Sequence, residues 1–182
     1  MLNSELKYTT ANLYFQDESR FGLFTRNGKA LTAKGVKPIC PFHQVFKTTY
    51  LFGAFSPING DSFLLEMPNC NTINFQLFLE GFALNQPDEF KIIVLDNGAF
   101  HKAKSLSIPD NIGLIFLPPY SPELNPAEKI WQQLKRSFTG KLHHTLEELS
   151  NFIAIETNKP TKHRIKKTCS FEYIFSDLNW TI

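Results

Sequence analysis

The sequence predicts an α/β domain in which a mixed β-sheet carries helices on its faces. Apolar runs in the first third follow one another around turn residues, which is typical of a strand meander, and later apolar runs alternate with helical patterns. The chain has 182 residues, 42% of them hydrophobic and eighteen of them Phe, which is enough to fill the core of one domain. The predicted order of elements is therefore β-β-β-α-β-α-β-α-α.

The first three strands are predicted from short aromatic or apolar runs. Residues 13–17 form an aromatic-rich run that predicts a strand whose last residue is Asp17. Residues 26–41 turn to Gly, Lys and Pro and predict an irregular excursion. Residues 45–55 and 62–66 then predict two strands, because the Pro-Ile-Asn-Gly sequence between them is a hairpin turn signal.

The middle of the chain predicts a helix and then a buried strand. Residues 71–85 can begin with Asn71 or Thr72 as N-cap, and they place apolar side chains near helical spacing at positions 73, 77, 78, 82 and 84. Residues 91–96 form a continuous apolar run without alternation, which predicts a strand buried on both faces. This strand ends at Asp96, where an Asn-Gly pair follows.

The remaining elements continue the alternation of strands and helices. A short helix over residues 99–105 precedes residues 112–117, which repeat the buried-strand pattern and stop at a proline-rich segment. A helix is predicted over residues 126–138, with Asn125 as N-cap and a proline at the first helical position. A second helix is predicted over residues 145–158.

Composition excludes several classes of protein. Three Cys without paired spacing give no disulfide framework, and the N terminus lacks the basic and apolar blocks of a secretory signal. No apolar run approaches the roughly 20 residues that span a bilayer. Cys40 and His43 supply at most two zinc ligands, which argues against a zinc finger. We therefore expect an intracellular, membrane-independent protein.

Charge is unevenly distributed along the chain. Residues 129–167 hold nine Lys and Arg against three Glu, a net +6, so the rest of the chain carries −4 of the total +2. Such asymmetry suits either a polyanion-binding face beside an acidic site or a solvated helical surface. The basic run over residues 162–167 allows the same two interpretations. The aromatic tail over residues 171–180 either packs back onto the domain or contacts a second subunit.

Three acidic residues are candidates for one site. Asp17 and Asp96 each end a strand predicted to be central, and Glu128 lies in the first turn of the helix that follows the proline-rich segment. At about 4 Å and an effective dielectric near 20, each pair of carboxylates repels by roughly 4 kcal/mol, a cost that a divalent cation removes. Oxygen-only ligands suit Mg²⁺ or Mn²⁺, and two such ions can clamp the attacking and leaving oxygens at phosphorus.

Each acid also has an ordinary structural interpretation. Glu128 fits a capping box with Asn125, in which the carboxylate bonds the N-cap backbone, and Asp96 before Asn-Gly can shape a turn. Glu123 is the rival third acid, in a predicted loop that fixes its placement less well. Glu18 points to the opposite strand face from Asp17 if the strand continues.

Three segments resemble the catalytic motifs of the mariner superfamily of DNA transposases, in its bacterial insertion-sequence branch. Residues 15–21 (FQDESRF) resemble the first motif, residues 95–101 (LDNGAFH) the second, and residues 117–131 (LPPYSPELNPAEKIW) the third and most diagnostic. The resemblance covers roughly residues 12–160 and implies a ribonuclease-H-like fold with a DDE metal site. We expect this catalytic domain to occupy residues 1–160, followed by a basic and then aromatic tail over residues 161–182.

The resemblance also implies roles for individual residues. Asp17 and Asp96 would bridge or flank two Mg²⁺ or Mn²⁺ ions, and Glu128 would complete the ligands of the second ion. The attacking groups would be water and then the freed 3′-hydroxyl of the element's end. Further candidates for contacts around these acids or with DNA are Asn97, His101, Asn125, Lys135 and Arg136.

The expected partner is DNA, both transposon ends and target, bound by a homodimer in the nucleoid-associated cytoplasm of a prokaryote. Complete transposases of this type carry N-terminal helix-turn-helix modules, whereas this chain begins only about a dozen residues before its first strand. We therefore expect that module to be absent here. It would be encoded separately, have been removed from this chain, or have been lost. The alternatives are a non-catalytic DNA-binding or assembly module that regulates a full-length transposase, and a nuclease acting on RNA–DNA hybrids.

Overall fold

A five-stranded mixed sheet lies at the centre of the computed structural model. The structure describes residues 7–25, 32–37, 39 and 42–176; residues 175 and 176 are described by their backbone only. The strand order is β3-β2-β1-β4-β5. The strands are β1 (Thr10–Gly22), β2 (Thr48–Phe55), β3 (Ser62–Met67), β4 (Glu89–Leu95) and β5 (Ile112–Phe116). β1 to β3 form an antiparallel meander, and β4 and β5 extend the sheet in parallel, so the mixed-sheet prediction is confirmed.

Within the described residues, five α-helices cover the two faces of this sheet. They are α1 (Thr72–Leu84), α2 (Ala127–Ser137), α3 (Leu146–Thr157), α4 (Lys162–Cys169) and α5 (Glu172–Ser176). Single 3₁₀ turns at Ala99–Lys102 and Pro122–Leu124 follow β4 and β5. Within the described residues, no helix has both the length and the apolarity needed to cross a membrane.

β1 differs from its prediction because it continues five residues past Asp17. Its first half pairs in parallel with β4 as far as Phe15, and its second half pairs with β2 in antiparallel fashion from Phe15 to Gly22. The hydrogen-bonding partner that extends β1 comes from a segment about thirty residues later in the chain. Asp17 therefore lies within a strand and not at its end.

The face of the sheet covered by α1 is lined by aromatic and aliphatic side chains. Buried Phe75, Phe78, Leu79 and Phe82 of α1 pack in one cluster with residues of the sheet such as Tyr14. Asn71 caps this helix, as expected, by accepting a hydrogen bond from the Asn74 backbone N–H at 2.9 Å.

The predicted apolar stripe of α1 is partly wrong. The side chains of Ile73, Leu77 and Leu84 are exposed, because the helix turns its Phe-rich stripe toward the sheet. A second correction concerns β5, which was predicted to be buried on both faces. β5 lies at the edge of the sheet, so Ile115 and Phe116 remain exposed and only Ile112 is buried.

α2, α3 and α4 cover the other face of the sheet. Trp131, Leu149 and Ile165, one from each of these helices, are buried in a single cluster with Phe21 and Phe55. The basic run at residues 162–167, which the sequence left unassigned, forms most of α4.

The segment after α4 also packs onto the domain. Ile174 is buried against Phe15 and Val94, with Phe171 beside it. The boundary of a tail at residue 161 stays a prediction. Trp180, Cys40 and residues 26–31 lie outside the described residues.

Candidate active site

The parallel pairing of β1 and β4 brings the first two predicted acids to one level of the sheet. The last paired residues are Phe15 and Val94, and β4 ends at Leu95. Continued by two residues, this register places Asp17 level with Asp96. Beyond β4, Asp17 keeps a strand neighbour only on its other side, where it pairs with Gly53 of β2. The carboxylate of Asp17 therefore lies where the parallel half of the sheet opens.

Gly53 allows α2 to lie directly over this part of the sheet. A Cβ atom at position 53 would stand 2.7 Å from Cη2 of Trp131, which is closer than van der Waals contact allows. Trp131 is buried and lies one turn after Glu128 on α2. The absence of a side chain at Gly53 thus permits the close docking of the helix that carries the third acid.

Asn125 ties the beginning of α2 to the β1 backbone. Its side-chain Nδ2 donates to the carbonyl of Gln16 at 2.9 Å, and its Oδ1 accepts from the backbone N–H of Ala127 at 3.1 Å. The Asn125 side chain therefore binds the first backbone N–H of α2, although the helix begins at Ala127 with Pro126 at its N-cap position, one residue later than predicted. The same side chain fixes the helix start next to Asp17.

The capping-box interpretation of Glu128 does not match the hydrogen bonding. The backbone N–H of Asn125, the donor that such a box would use, donates to the carbonyl of Pro122 at 2.9 Å. The Glu128 side chain is exposed to solvent. Its carboxylate is thus available to the space in front of α2.

All three predicted acids line the same cavity, which has a volume of about 430 Å³. Its wall is completed by the proline-rich segment, and its lining residues are Asp17, Asp96, Asn97, Gly98, Leu117, Pro118, Pro119, Tyr120, Ser121, Pro122, Asn125 and Glu128. The rival acid Glu123 is exposed on the 3₁₀ turn and is not part of this lining. We call this space the acid cavity.

The environment of the acid cavity changes the pKa of Asp17. Burial, together with the charges of Glu18, Glu128 and Asp96, raises the pKa of Asp17 from 3.8 to about 8. Without a compensating cation, Asp17 is therefore mostly protonated at neutral pH. The mutual repulsion expected from the sequence is thus present at this carboxyl.

Asp96 is held by hydrogen-bond partners in the segment that directly follows β4. Its Oδ1 accepts from the Gly98 backbone N–H at 2.8 Å and lies 2.9 Å from Nδ1 of His101. A Cβ atom at Gly98 would stand 3.0 Å from both of these side-chain atoms, so glycine keeps the contact close. The turn after β4 therefore positions Asp96 through His101.

His101 also connects Asp96 to an acid that the sequence argument set aside. Its Nε2 lies 3.1 Å from Oε1 of Glu18, and the His101 side chain is buried against the ring of Phe75 at 4.5 Å between centroids. Glu18 does point to the opposite face from Asp17, as predicted, and that face is where His101 lies. The alternation along β1 was visible in the sequence, whereas the position of His101 below it was not.

The other candidates around the site fall into two groups. Asn97 lines the acid cavity, and its side chain donates to the carbonyl of Leu117, which joins the ends of β4 and β5. Lys135 and Arg136 lie near the end of α2 and are not in the lining of the acid cavity.

The donor set of the acid cavity consists of carboxylates, which suits a hard divalent cation. Among the described residues, however, no three His, Cys, Asp or Glu side chains stand close enough together to hold a metal ion. The assignment of Asp17, Asp96 and Glu128 as metal ligands stays a prediction.

Comparison with solved structures identifies the fold. The chain is similar to the Mos1 transposase in a paired-end complex with the left transposon end, with a TM-score of 0.67 and 14% identity over 87% of this chain. It is similar to the Mos1 mariner paired-end complex with Mn, with a TM-score of 0.67 and 15% identity. The fold is therefore ribonuclease-H-like, as the motifs implied. The chain spans 51% of each of these two transposase chains.

Comparison with protein sequences identifies the family. An uncharacterised protein of Sinorhizobium fredii (strain NBRC 101917 / NGR234) is 40% identical over 87 residues, which are 47% of this chain and 64% of that protein. The sequence profile of the DDE superfamily endonucleases matches residues 12–150, which include all three predicted acids. This match extends over most of the chain, which therefore belongs to the DDE superfamily endonuclease family.

Proposed function

We propose that this chain is the catalytic domain of a transposase that hydrolyses and transesterifies DNA phosphodiesters at transposon ends. The observation that carries the proposal is that Asp17, Asp96 and Glu128 line one cavity where β4 ends. The charges of Glu128 and Asp96 contribute to the raised pKa of Asp17. The relatives support the same reaction, because Mos1 was solved on transposon-end DNA, with Mn and as a strand transfer complex.

The proposed ligands of two Mg²⁺ or Mn²⁺ ions are Asp17, Asp96 and Glu128. When bound, such ions activate the attacking water or 3′-hydroxyl and stabilise the charge on the leaving oxygen. The protein's part is to assemble the acids: the sheet register aligns Asp17 with Asp96, and Asn125 anchors α2 so that Glu128 faces them. The raised pKa of Asp17 means that this carboxyl gives up a proton when a cation binds.

The remaining residues of the site restrain these acids. His101 holds Asp96 from the α1 side of the sheet, and Asn97 links the chain after β4 to the end of β5. Fixed carboxylates reduce the reorganisation needed to reach the transition state, which is the main contribution that a protein makes to phosphoryl transfer. DNA as substrate, a homodimer and a separately encoded helix-turn-helix partner belong to the same proposal.

The test is cleavage of supercoiled plasmid DNA in Mg²⁺ or Mn²⁺ by the 182-residue chain and its variants. Asp17→Asn, Asp96→Asn and Glu128→Gln should each lower the rate by about a thousandfold, since several kcal/mol of charge stabilisation depend on the ions. Glu123→Gln is the matched control and should cleave like the wild type, because Glu123 lies outside the acid cavity. Cleavage that survives Asp96→Asn would contradict the proposal.

A non-catalytic DNA-binding or assembly module is the second candidate. It is favoured by the spacing of the acids, since no three potential ligands among the described residues form a metal-binding group. Binding of Mn²⁺ to the free chain, measured by calorimetry, separates the two candidates. The catalytic proposal requires binding that Asp96→Asn weakens, whereas the second candidate requires DNA binding with neither metal binding nor cleavage.

A further inference from the structure

β1 and α2 run side by side away from the acid cavity. At one end Asp17 and Glu128 both line that cavity, and at the other end the rings of Phe21 and Phe138 pack at 4.8 Å between centroids. Phe21 lies four residues after Asp17 on the strand, a rise of about 13 Å. Lys135 lies seven residues after Glu128 on the helix, a rise of about 10 Å that returns to nearly the same helix face. The two elements therefore lead from the acids to a second site about 10–13 Å away.

A cleft whose lining includes several basic residues lies at that second site. We call it the basic cleft, with a volume of about 90 Å³; its lining residues are Arg20, Phe21, Gly22, Leu23, Phe24, Lys135, Phe138, Lys141 and His143. Arg20 and Lys141 are exposed, and within the described part of the chain neither forms an ion pair. The cleft is thus positively charged, while the acid cavity on the same two elements is negatively charged.

The charge of the basic cleft comes from its Lys and Arg side chains. Burial lowers the pKa of His143, against an opposing effect of Glu148. The carboxylate of Glu148 accepts a hydrogen bond from the His144 backbone N–H at 2.7 Å, so it is engaged at the start of α3. Arg20 and Lys141 therefore supply exposed positive charge at the basic cleft.

Exposed aromatic rings adjoin the basic cleft. Phe24, one of its lining residues, is 46% exposed and packs against Phe42 and Phe46 at 5.4 and 5.6 Å between centroids. Phe42 and Phe46 are 56% and 76% exposed. Positive side chains that follow a phosphate backbone, next to aromatic rings on which bases can stack, are the two features of surfaces that bind a nucleic acid strand.

We propose that the basic cleft binds backbone phosphates of the DNA strand that is cut in the acid cavity, three to four nucleotides from the scissile phosphate. The distance follows from the rise of β1 and α2, because one strand of DNA carries a phosphate about every 3.4 Å along its axis. The exposed charges of Arg20 and Lys141 also offset the repulsion that the acids exert on a polyanion. The inference rests on the proposed function, which supplies DNA as the substrate. It adds the distance, in nucleotides, between the bound phosphates and the scissile phosphate.

The first test measures DNA binding without metal ions, by fluorescence anisotropy of a short duplex with a single-stranded overhang. Arg20→Gln and Lys141→Gln should each reduce the slope of log K against log salt by about 0.7 to 0.9, and the double variant by about twice that amount. Lys7→Gln is the matched control. Lys7 lies before β1, ten residues from Asp17, and pairs with Asp110 at 2.7 Å. Slopes equal to that of the control would overturn the proposal.

The second test locates the contact relative to the cut. Uncharged methylphosphonates are placed singly along one strand, and cleavage in Mn²⁺ is mapped. In the wild type, cuts that fall three to four nucleotides from the neutral linkage should disappear. The Arg20→Gln/Lys141→Gln variant should still cut at these positions. A gap at another distance, or one that the variant retains, would overturn the register.

The two tests separate this inference from the proposed function. If no form of the chain cleaves DNA while the cleft variants still show reduced salt slopes, the basic cleft binds phosphates and the catalytic proposal fails. If cleavage depends on Asp96 while the cleft variants match Lys7→Gln in slope and in cleavage map, the catalytic proposal stands and the cleft is not a DNA site. Unchanged thermal unfolding of each variant confirms that it is folded.

Discussion

Replacing Asp17 by Asn should make the metal-free protein more stable at alkaline pH. Folding raises the pKa of Asp17 from 3.8 to about 8, so the folded state holds a proton that the unfolded state releases. Stability must then fall as pH rises from about 4 to about 8 and level off above that range. At about 1.4 kcal/mol per unit, the ionised carboxylate costs on the order of 5 kcal/mol, and Asn carries no such charge.

The assay is urea unfolding in EDTA at about pH 5 and about pH 9, followed by tryptophan fluorescence. At the lower pH, about one unit above the unfolded pKa of Asp17, the wild type should be less stable than Asp17→Asn by about 1–2 kcal/mol, and at the higher pH this difference should grow by several kcal/mol. Excess Mg²⁺ should stabilise the wild type at high pH and leave the variant unchanged. Asp110→Asn is the matched control, because Asp110 is exposed and its pKa is lowered by Lys7, so it titrates below this window. An unchanged pH dependence in Asp17→Asn would refute the electrostatic account of the acid cavity.

Substitutions at three further positions test the contacts around the site. Gly53→Ala should cost about 1–3 kcal/mol of unfolding free energy, since its Cβ would overlap Trp131, and denaturant titration measures that loss. Asn125→Ala should cost about 1–3 kcal/mol and slow cleavage, whereas Asn125→Asp should keep the hydrogen bond from the Ala127 backbone N–H and lose only the donation to Gln16. Comparing the two variants in both assays separates these effects. His101→Gln should weaken Mn²⁺ binding by about 10- to 100-fold in calorimetry, because His101 holds Asp96 in place. A variant that binds Mn²⁺ as tightly as the wild type would show that His101 does not position Asp96 for the metal.

The sequence predicted those parts of the fold that depend on local patterns. The apolar run before Asp96 marked β4 correctly, and the cap residue Asn71 marked the beginning of α1. The proline-rich segment predicted the return of the chain that brings Glu128 to the acid cavity. Each of these signals lies within a few residues of the feature that it predicts.

The errors arose where distant segments decide the outcome. The extension of β1 beyond Asp17 depends on β2, and the edge position of β5 depends on the absence of a further strand among the described residues. α1 has two apolar stripes, and only contact with the sheet determines that Ile73 is exposed. The role of Glu18 could not be predicted because His101, eighty-three residues later, provides its partner.

The alternation of side chains along β1 gives the candidate site two sides. Asp17 faces α2 and Glu128, while the next residue, Glu18, faces α1 and contacts His101. Asp96 follows the end of β4, so it reaches the acid cavity and His101 at the same time. A charge placed on Asp96 is therefore felt on both faces of the sheet. The long β1 is needed for this arrangement, because a strand that ended at Asp17 could not hold Glu18 in place through hydrogen bonds to β2.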